Sequence, residues 1–232
     1  MKKINGILYN VTTEDLDLYY NNNEEFWEGV KVIGSGAFKE LDIKSITIPR
    51  KVEFIGANAF ENCKSLTTVN LKNVRTIYDR AFSGCINLQI VIFQEGLESI
   101  GEGCFYRCRR LQEIDLPETV NEIKKGAFAS SGLARAGLKK CHIKKLENNV
   151  FAKCKNLKIV KLPPSLRIIR PYASEDCIEL DSLDIPLNMA FESISPNAFI
   201  GCNKLNNFCF NQYPYDNVFK KTENILEENM EI

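Results

Sequence analysis

The sequence predicts a repeat solenoid of the α/β class, in which a parallel β-sheet forms one face of the stack and short helices or turns form the other. An apolar residue followed four residues later by Ala-Phe, or by a variant of this pair, recurs eight times from Ile33 to Ile194. The leading apolar residues are 22, 22, 23, 23, 23, 23 and 25 positions apart. Self-similarity at such a period is typical of stacked repeats, which bury their apolar faces against their neighbours.

A second phrase, Leu-x-x-h-x-h with h for an apolar residue, usually begins six residues after the Phe position, as at Leu66, Val69 and Leu71. Its last two apolar residues are two positions apart, which is the period of a β-strand. Two copies, at Ile43 and Leu133, begin five residues after the Phe position instead of six. We therefore expect each unit to contain a short strand, a crossing segment and a tight turn or short helix at Ala-Phe. The strands of about eight such turns are expected to form one parallel sheet.

One column of the repeat carries a cysteine three residues after the Phe position, and Ser131 takes this place in the fifth copy. The column consists of Cys63, Cys85, Cys108, Cys154, Cys177 and Cys202. A small, fairly apolar side chain that recurs once per turn indicates interior packing, so we expect buried, reduced thiols. Disulfides between neighbouring turns stay open as an alternative, because such turns lie near the shortest Cα spacing of a disulfide. No zinc site is expected, since Cys104 and Cys108 have no second pair at zinc spacing.

Residues 108–128 combine both phrases and read CRRLQEIDLPETVNEIKKGAF. This stretch resembles the repeat of the BspA-like, or Treponema pallidum-type, leucine-rich repeat family, and the resemblance recurs from residue 33 to about residue 211. It implies a right-handed superhelix with the parallel sheet on the concave face and short helices or turns on the convex side. It also implies a recognition scaffold, since the family has no catalytic residues to carry over.

The segment ahead of the repeats resembles a hairpin that family members often carry there, with Asn5-Gly6-Ile7-Leu8-Tyr9 followed by residues 16–20. The resemblance implies an N-terminal cap at 1–32 ahead of about eight repeats at 33–211. Residues 212–232 leave the repeat and have a loose helical pattern, so we interpret them as a C-terminal cap or tail. Many relatives look like exported or surface proteins of bacteria and protozoa. Here Met1-Lys2-Lys3 is not followed by the ~7–15 apolar residues of a secretory signal. The chain as given is therefore expected to be cytoplasmic, or a mature or excised piece of an exported protein.

The strand phrase predicts which side chains point outward, because neighbouring residues of a strand face opposite sides. One outward column is Thr47, Asn70, Ile92, Asp115, Gly137, Lys161, Asp184 and Cys209, and the adjacent one is Ser45, Thr68, Ile90, Glu113, Arg135, Ile159, Ser182 and Asn207. The mixture of types favours a specific protein partner. The candidate contact residues are Ile90, Ile92, Glu113, Asp115, Arg135, Lys139, Ile159, Lys161 and Asp184. The isoleucines mark an interface or are ordinary single exposed apolar residues.

Charge separates the middle of the chain from its end. The formal net charge is zero, which argues against a general nucleic-acid binder. Residues 101–170 nevertheless hold 16 Lys and Arg against 6 Asp and Glu, whereas residues 171–232 hold 3 against 11. A basic band attracts an acidic polymer or glycan. Alternatively, the charges are solvent-exposed side chains without a binding role, or the basic middle of one chain associates with the acidic end of another. No apolar run of ~18 residues is present, so no membrane insertion is expected.

Catalytic and cofactor motifs are missing from the sequence. The single histidine, His142, adjoins Cys141, and adjacent side chains point apart in an extended segment. Glu113 and Asp115 stand two apart on one strand, and we interpret them as solvated carboxylates rather than as a glycosidase pair. We therefore expect a non-catalytic protein-interaction scaffold without a cofactor or metal. Binding of an acidic polymer or glycan, and a structural role within a larger surface protein, are the alternatives.

Overall fold

The computed structural model describes residues 1–187 and 189–207. Two rows of parallel strands run along the stack of repeats. Each turn contributes a three-residue strand from the Leu-x-x-h-x-h phrase and a two-residue strand that ends at the leading apolar residue. This stacked parallel architecture of about eight turns confirms the predicted repeat solenoid. The strands of the phrase do not form the single sheet that was predicted, because their row is divided between β8 and β10. The two-residue strands form a second row that the sequence did not predict.

The described elements are β1 (Lys2–Ile4), β2 (Ile7–Tyr9), α1 (Asp15–Asn21), α2 (Asn23–Phe26), β3 (Val32–Ile33), β4 (Ser45–Thr47), β5 (Phe54–Ile55), β6 (Thr68–Asn70), β7 (Thr76–Ile77), β8 (Ile90–Ile92), β9 (Ser99–Ile100), β10 (Glu113–Asp115), β11 (Glu122–Ile123), β12 (Arg135–Gly137), β13 (Lys145–Leu146), β14 (Ile159–Lys161), β15 (Ile168–Ile169), β16 (Ser182–Asp184), β17 (Ser193–Ile194) and the 3₁₀-helix Asn203–Asn207. We call the three-residue strands β4, β6, β8, β10, β12, β14 and β16 the strand face. The two-residue strands from β3 to β17 form the second row.

Each row is interrupted once, and the interruptions lie at different turns. The strand face consists of the sheets β4-β6-β8 and β10-β12-β14-β16, so it is interrupted between β8 and β10. The second row consists of β1-β2-β3-β5-β7-β9-β11 and β13-β15-β17, so it is interrupted between β11 and β13. Apart from the antiparallel β1–β2 hairpin, all described strand pairs are parallel. At each interruption the stack is held together by the row that stays continuous.

The Ala-Phe segments form hydrogen-bonded turns rather than helices in the described repeats. The Phe60 backbone N–H donates to the Ala81 carbonyl of the next turn at 2.7 Å, and Phe105 donates to Ala127 in the same way. In the first seven copies the residue before the Ala position has a positive φ, from Gly36 at 64° to Tyr172 at 60°. This residue in left-handed conformation reverses the direction of the chain and so forms the repeated turn. The turn in each repeat then lies beside the turn of the next repeat, where their backbones form hydrogen bonds.

The centre of the core is a continuous stack of phenylalanine rings. Phe38, Phe60, Phe82, Phe105, Phe128 and Phe151 lie with their ring centroids 4.7, 5.0, 5.4, 5.3 and 5.8 Å apart in order. All six side chains are fully buried, together with the leading and strand-phrase apolar residues of most turns. The stack ends where the seventh copy replaces Phe by Ser174, whose buried hydroxyl has no hydrogen-bond partner within the described residues.

The N-terminal segment covers the first repeat. The hairpin pairs β1 with β2 around Asn5-Gly6, and β2 pairs with β3 of the first turn. Phe26 and Trp27 lie against Phe38 at ring distances of 6.1 and 6.2 Å, so aromatic rings continue the core stack into the cap. The expectation that residues 16–20 belong to the hairpin is wrong. They lie in α1, where Leu16 and Tyr19 pack inward with helical spacing.

The predicted C-terminal cap or tail at 212–232 lies outside the described residues, as do Phe208, Cys209 and Phe210 of the last strand phrase. Within the described part of the chain, no helix has the length and apolarity needed to cross a membrane.

Candidate functional site

The strand face presents the members of both predicted outward columns that lie in the described strands to solvent. In every described turn the outer two residues of the three-residue strand are exposed or half-buried. The exposed members include Ile90, Ile92, Glu113, Asp115, Arg135, Lys161 and Asp184, while Ile159 is half-buried. Lys139 is also exposed, but it lies in the turn after β12 rather than on the strand itself. The structure thus brings eight of the nine candidate residues onto one face.

Parallel register places those residues in lines across the strands. Glu113 of β10 pairs with Arg135 of β12 and Arg135 with Ile159 of β14. The Arg135 Nη2 atom donates to Glu113 Oε2 at 2.7 Å, with both side chains 59% exposed. An ion pair at this exposure contributes at most about 1 kcal/mol to stability. The charged side chains of this region therefore remain available to a partner at small cost.

The interruption between β8 and β10, which we call the open junction, exposes part of the core. The middle residue of the strand is buried in every other strand of the face, but Val91 of β8 is half-buried. Ile90 and Ile92 are 52% and 40% exposed, and Phe93 next to them is half-buried. Four consecutive apolar residues are therefore accessible beside a groove of about 500 Å³ that is lined by Phe93, Gln94, Glu95, Asp115, Leu116, Pro117 and Lys140.

Backbone groups at the open junction lack the partners that their counterparts have. The Thr67 and Gln112 carbonyls each accept bonds from the following turn, but the Gln89 carbonyl accepts none within the described residues. On the facing strand, Gln112 and Glu113 N–H donate to no backbone carbonyl in the described chain. Hydrogen bonds on both sides limit the opening to the segment between residues 84 and 96. Gly84 N–H donates to the Tyr106 carbonyl at 2.8 Å, and Gly96 N–H donates to Thr119 Oγ1 at 3.0 Å.

The interruption of the second row forms a basic groove of about 560 Å³. It is lined by Glu102, Asn121, Glu122, Ile123, Lys124, Lys125, His142, Lys144, Lys145 and Glu147. The four lysines are exposed, and none of them forms an ion pair with a described residue. Three glutamates in the same groove nevertheless offset most of their charge. The groove is thus much less cationic than the excess of Lys and Arg in residues 101–170 suggests.

The cysteine column lies inside the core, and every described cysteine is a free thiol. Each thiol of the column donates to the carbonyl at the Phe position of the preceding turn, as from Cys63 Sγ to Phe38 at 2.9 Å and from Cys85 Sγ to Phe60 at 3.1 Å. Burial raises the pKa of Cys63 to about 12. The expected burial of the column is confirmed, and the described cysteines are free thiols.

The side chains considered for catalysis do not meet. Cys141 is buried, with a pKa that burial raises to about 12, whereas the His142 ring is exposed and bonds to the Glu118 carbonyl at 2.9 Å. Glu113 and Asp115 are both solvent-exposed on one strand. Among the described residues, no cluster of three His, Cys, Asp or Glu side chains is arranged to hold a metal.

Sequence reasoning missed the open junction and its unpaired backbone groups. The phrase Leu88, Val91 and Phe93 satisfies the same pattern as the other turns, so it predicts a paired strand. The available sign is that residues 90–93 are all apolar, which breaks the alternation expected of a half-exposed strand.

The family model described as BspA type leucine rich repeat region (6 copies) matches residues 31–140 and 139–231. A leucine-rich repeat protein from Bacteroides ovatus is 36% identical to this chain, with a TM-score of 0.59 over 68% of this chain and 41% of that chain. This chain therefore spans about two fifths of the length of the Bacteroides ovatus relative.

Two further solved structures are similar at lower identity. The T. pallidum leucine-rich repeat protein is 25% identical, with a TM-score of 0.57 over 77% of this chain and 73% of that chain. A leucine-rich cell surface protein from Faecalibacterium prausnitzii is 21% identical, with a TM-score of 0.37 over 76% of each chain. No curated protein matches the sequence.

Proposed function

Because the chain belongs to the BspA-type leucine-rich repeat family, we propose that it is a non-catalytic scaffold that binds a protein partner through the strand face. The observation that carries this proposal is the pair of outward columns, which hold apolar, acidic and basic side chains in fixed register across the strands. Mixed chemistry on a rigid surface suits one specific protein better than a repetitive polymer. Such columns also supply the apolar centre and charged rim that protein interfaces combine.

The interaction is tested by reversing two charges on the strand face. Affinity capture from the native source, with mass spectrometry, identifies the partner, and Arg135→Glu together with Lys161→Glu is then compared with the parent chain. We expect the partner's Kd to rise at least 10-fold, because two like-charge contacts replace attractive ones. The melting temperature is expected to change little, since both side chains are exposed.

The matched control is Lys153→Glu with Lys155→Glu, because both lysines are exposed and lie in the turns between the strand rows. If the strand-face variant and this control weaken binding equally, the attraction is a general charge effect and the strand face is not the contact surface.

Binding of an acidic polymer or glycan through the basic groove is the alternative. The three glutamates among its lining residues weigh against it. Chromatography on heparin resin separates the two ideas. Retention that Lys144→Glu with Lys145→Glu abolishes would favour the polymer, whereas flow-through at low salt would leave the protein-binding proposal alone.

A surface location and a structural role within a larger surface protein are further proposals. The second is motivated by the length of the Bacteroides ovatus relative, of which this chain covers 41%.

A further inference from the structure

The open junction has the features of a place where one β-strand is missing. On one side the sheet β4-β6-β8 ends, and on the other the sheet β10-β12-β14-β16 begins. All other neighbouring strands of the face are paired in parallel register. The two edges therefore present the backbone of a parallel sheet to anything that reaches them.

The edge groups define what kind of molecule satisfies them. The Gln89 carbonyl is an acceptor without a donor, and Gln112 and Glu113 N–H are donors without a backbone acceptor in the described chain. A ligand that pairs with both edges must carry alternating N–H donors and carbonyl acceptors. A polypeptide in extended conformation carries them at the spacing of a β-strand, whereas a polysaccharide does not.

The side chains around the edges define the character of that polypeptide. Ile90 and Ile92 are exposed on the outer side of β8, Val91 between them is half-buried, and Phe93 lines the groove. Apolar residues of the incoming strand would remove this apolar surface from water, which is the main stabilising contribution to such binding.

The charge of the groove adds a second requirement. Glu95 and Asp115 line the groove without an ion partner among the described residues, opposite one lysine, Lys140. This charge favours a segment that also carries Lys or Arg.

We propose that the open junction takes up a short extended segment of a protein partner, apolar with basic residues, as an added β-strand between β8 and β10. The inference rests on the proposed function, because it assigns the strand face's partner a backbone conformation and a docking place. The added strand joins the two sheets of the strand face and covers Ile90 to Phe93.

The probe is a nine-residue peptide with the sequence of residues 155–163, Lys-Asn-Leu-Lys-Ile-Val-Lys-Leu-Pro, added to the full chain. This segment supplies β14 in the protein itself, so it has the required strand pattern and positive charge. Binding is followed by fluorescence anisotropy of the labelled peptide and by amide hydrogen exchange of the protein. We expect the amides of Gln112 and Glu113 to exchange at least 10-fold more slowly in the complex.

A double variant tests the apolar contribution. Ile90→Thr with Ile92→Thr retains β-branched residues but removes apolar surface, and we expect it to weaken peptide binding at least 10-fold. Ile86→Thr with Ile178→Thr is the matched control, because these isoleucines are 37% and 43% exposed outside the strand face. Circular dichroism of each variant checks that the fold is retained.

The same peptide N-methylated at the residues corresponding to Ile159 and Lys161 tests backbone pairing, since it keeps every side chain but loses two donors. Equal binding of this peptide overturns the proposal, as does unchanged exchange of Gln112 and Glu113 at millimolar peptide. If Arg135→Glu with Lys161→Glu weakens capture of the native partner while the isoleucine variant does not, the strand-face function stands and the added strand is discarded.

Discussion

At the scale of single residues, close approach between turns decides which positions must be glycine. Gly132 lies in the fifth repeat, where the strand phrase arrives one residue early, and its N–H donates to the Cys108 carbonyl of the preceding turn at 3.1 Å. A Cβ atom there would overlap the carbonyl oxygen of Arg109. Gly126, in the same repeat, has a φ of +61°, and the nearest atom to the place a Cβ would take is 3.9 Å away. Lack of space therefore restricts position 132, whereas backbone conformation restricts position 126.

We expect Gly132→Ala to lower the free energy of unfolding by roughly 2–3 kcal/mol, because the backbone must shift to relieve the overlap. Gly126→Ala should cost about 1 kcal/mol, the usual penalty of a left-handed Ala. Urea unfolding followed by circular dichroism measures both. Equal losses for the two variants would show that the shortened connection of the fifth repeat tolerates a side chain.

At the scale of the repeating element, each turn depends on its neighbour through the cysteine column. A thiol donates to the carbonyl at the Phe position of the turn before, as Cys154 does to Phe128 at 3.1 Å. Burial raises the pKa of Cys154 to about 11, from an ordinary value of 9.0. Where Ser131 replaces cysteine, its hydroxyl lies 3.3 Å from Cys154 Sγ, so a hydroxyl also fits this column. The sequence predicts the burial of the thiols, but their carbonyl partners follow only from the register of the turns.

The raised pKa values predict a loss of stability in alkali. Between pH 9 and 12 the unfolded chain releases thiol protons that the folded chain retains, so rising pH favours unfolding. The contribution of Cys63 to the free energy of unfolding is therefore complete below pH 9 and disappears towards pH 12. We expect the free energy of unfolding of the parent chain to fall more steeply than that of Cys63→Ser, by about 1 kcal/mol per pH unit. Urea titrations from pH 8 to 11.5 measure the two slopes. Parallel curves would contradict the prediction.

At the scale of the whole molecule, the sequence predicts the stack because the repeat spacing and the apolar phrases reflect burial directly. The second row of strands was not predicted, since two-residue strands such as β9 are too short to show a period. The interruption between β11 and β13 has an origin in the sequence. The segment from the end of the strand phrase to the next leading apolar residue is one residue longer at 138–146 than at 116–123. This extra residue compensates for the strand phrase that starts one residue early at Leu133. The strand-face columns follow from alternation, whereas the apolar run 90–93 marks the turn at the open junction but does not show which backbone groups there are unpaired.

The position of Trp27 gives the chain an optical reporter at one end only. It is the single tryptophan, 2% exposed, and it touches the first ring of the phenylalanine stack. Intrinsic fluorescence therefore senses the N-terminal repeats, while ellipticity averages over every turn. In a one-dimensional array of repeats, the difference between the unfolding midpoints of the two signals shows whether all repeats unfold together. Equal midpoints indicate that cooperativity extends from one end of the molecule to the other.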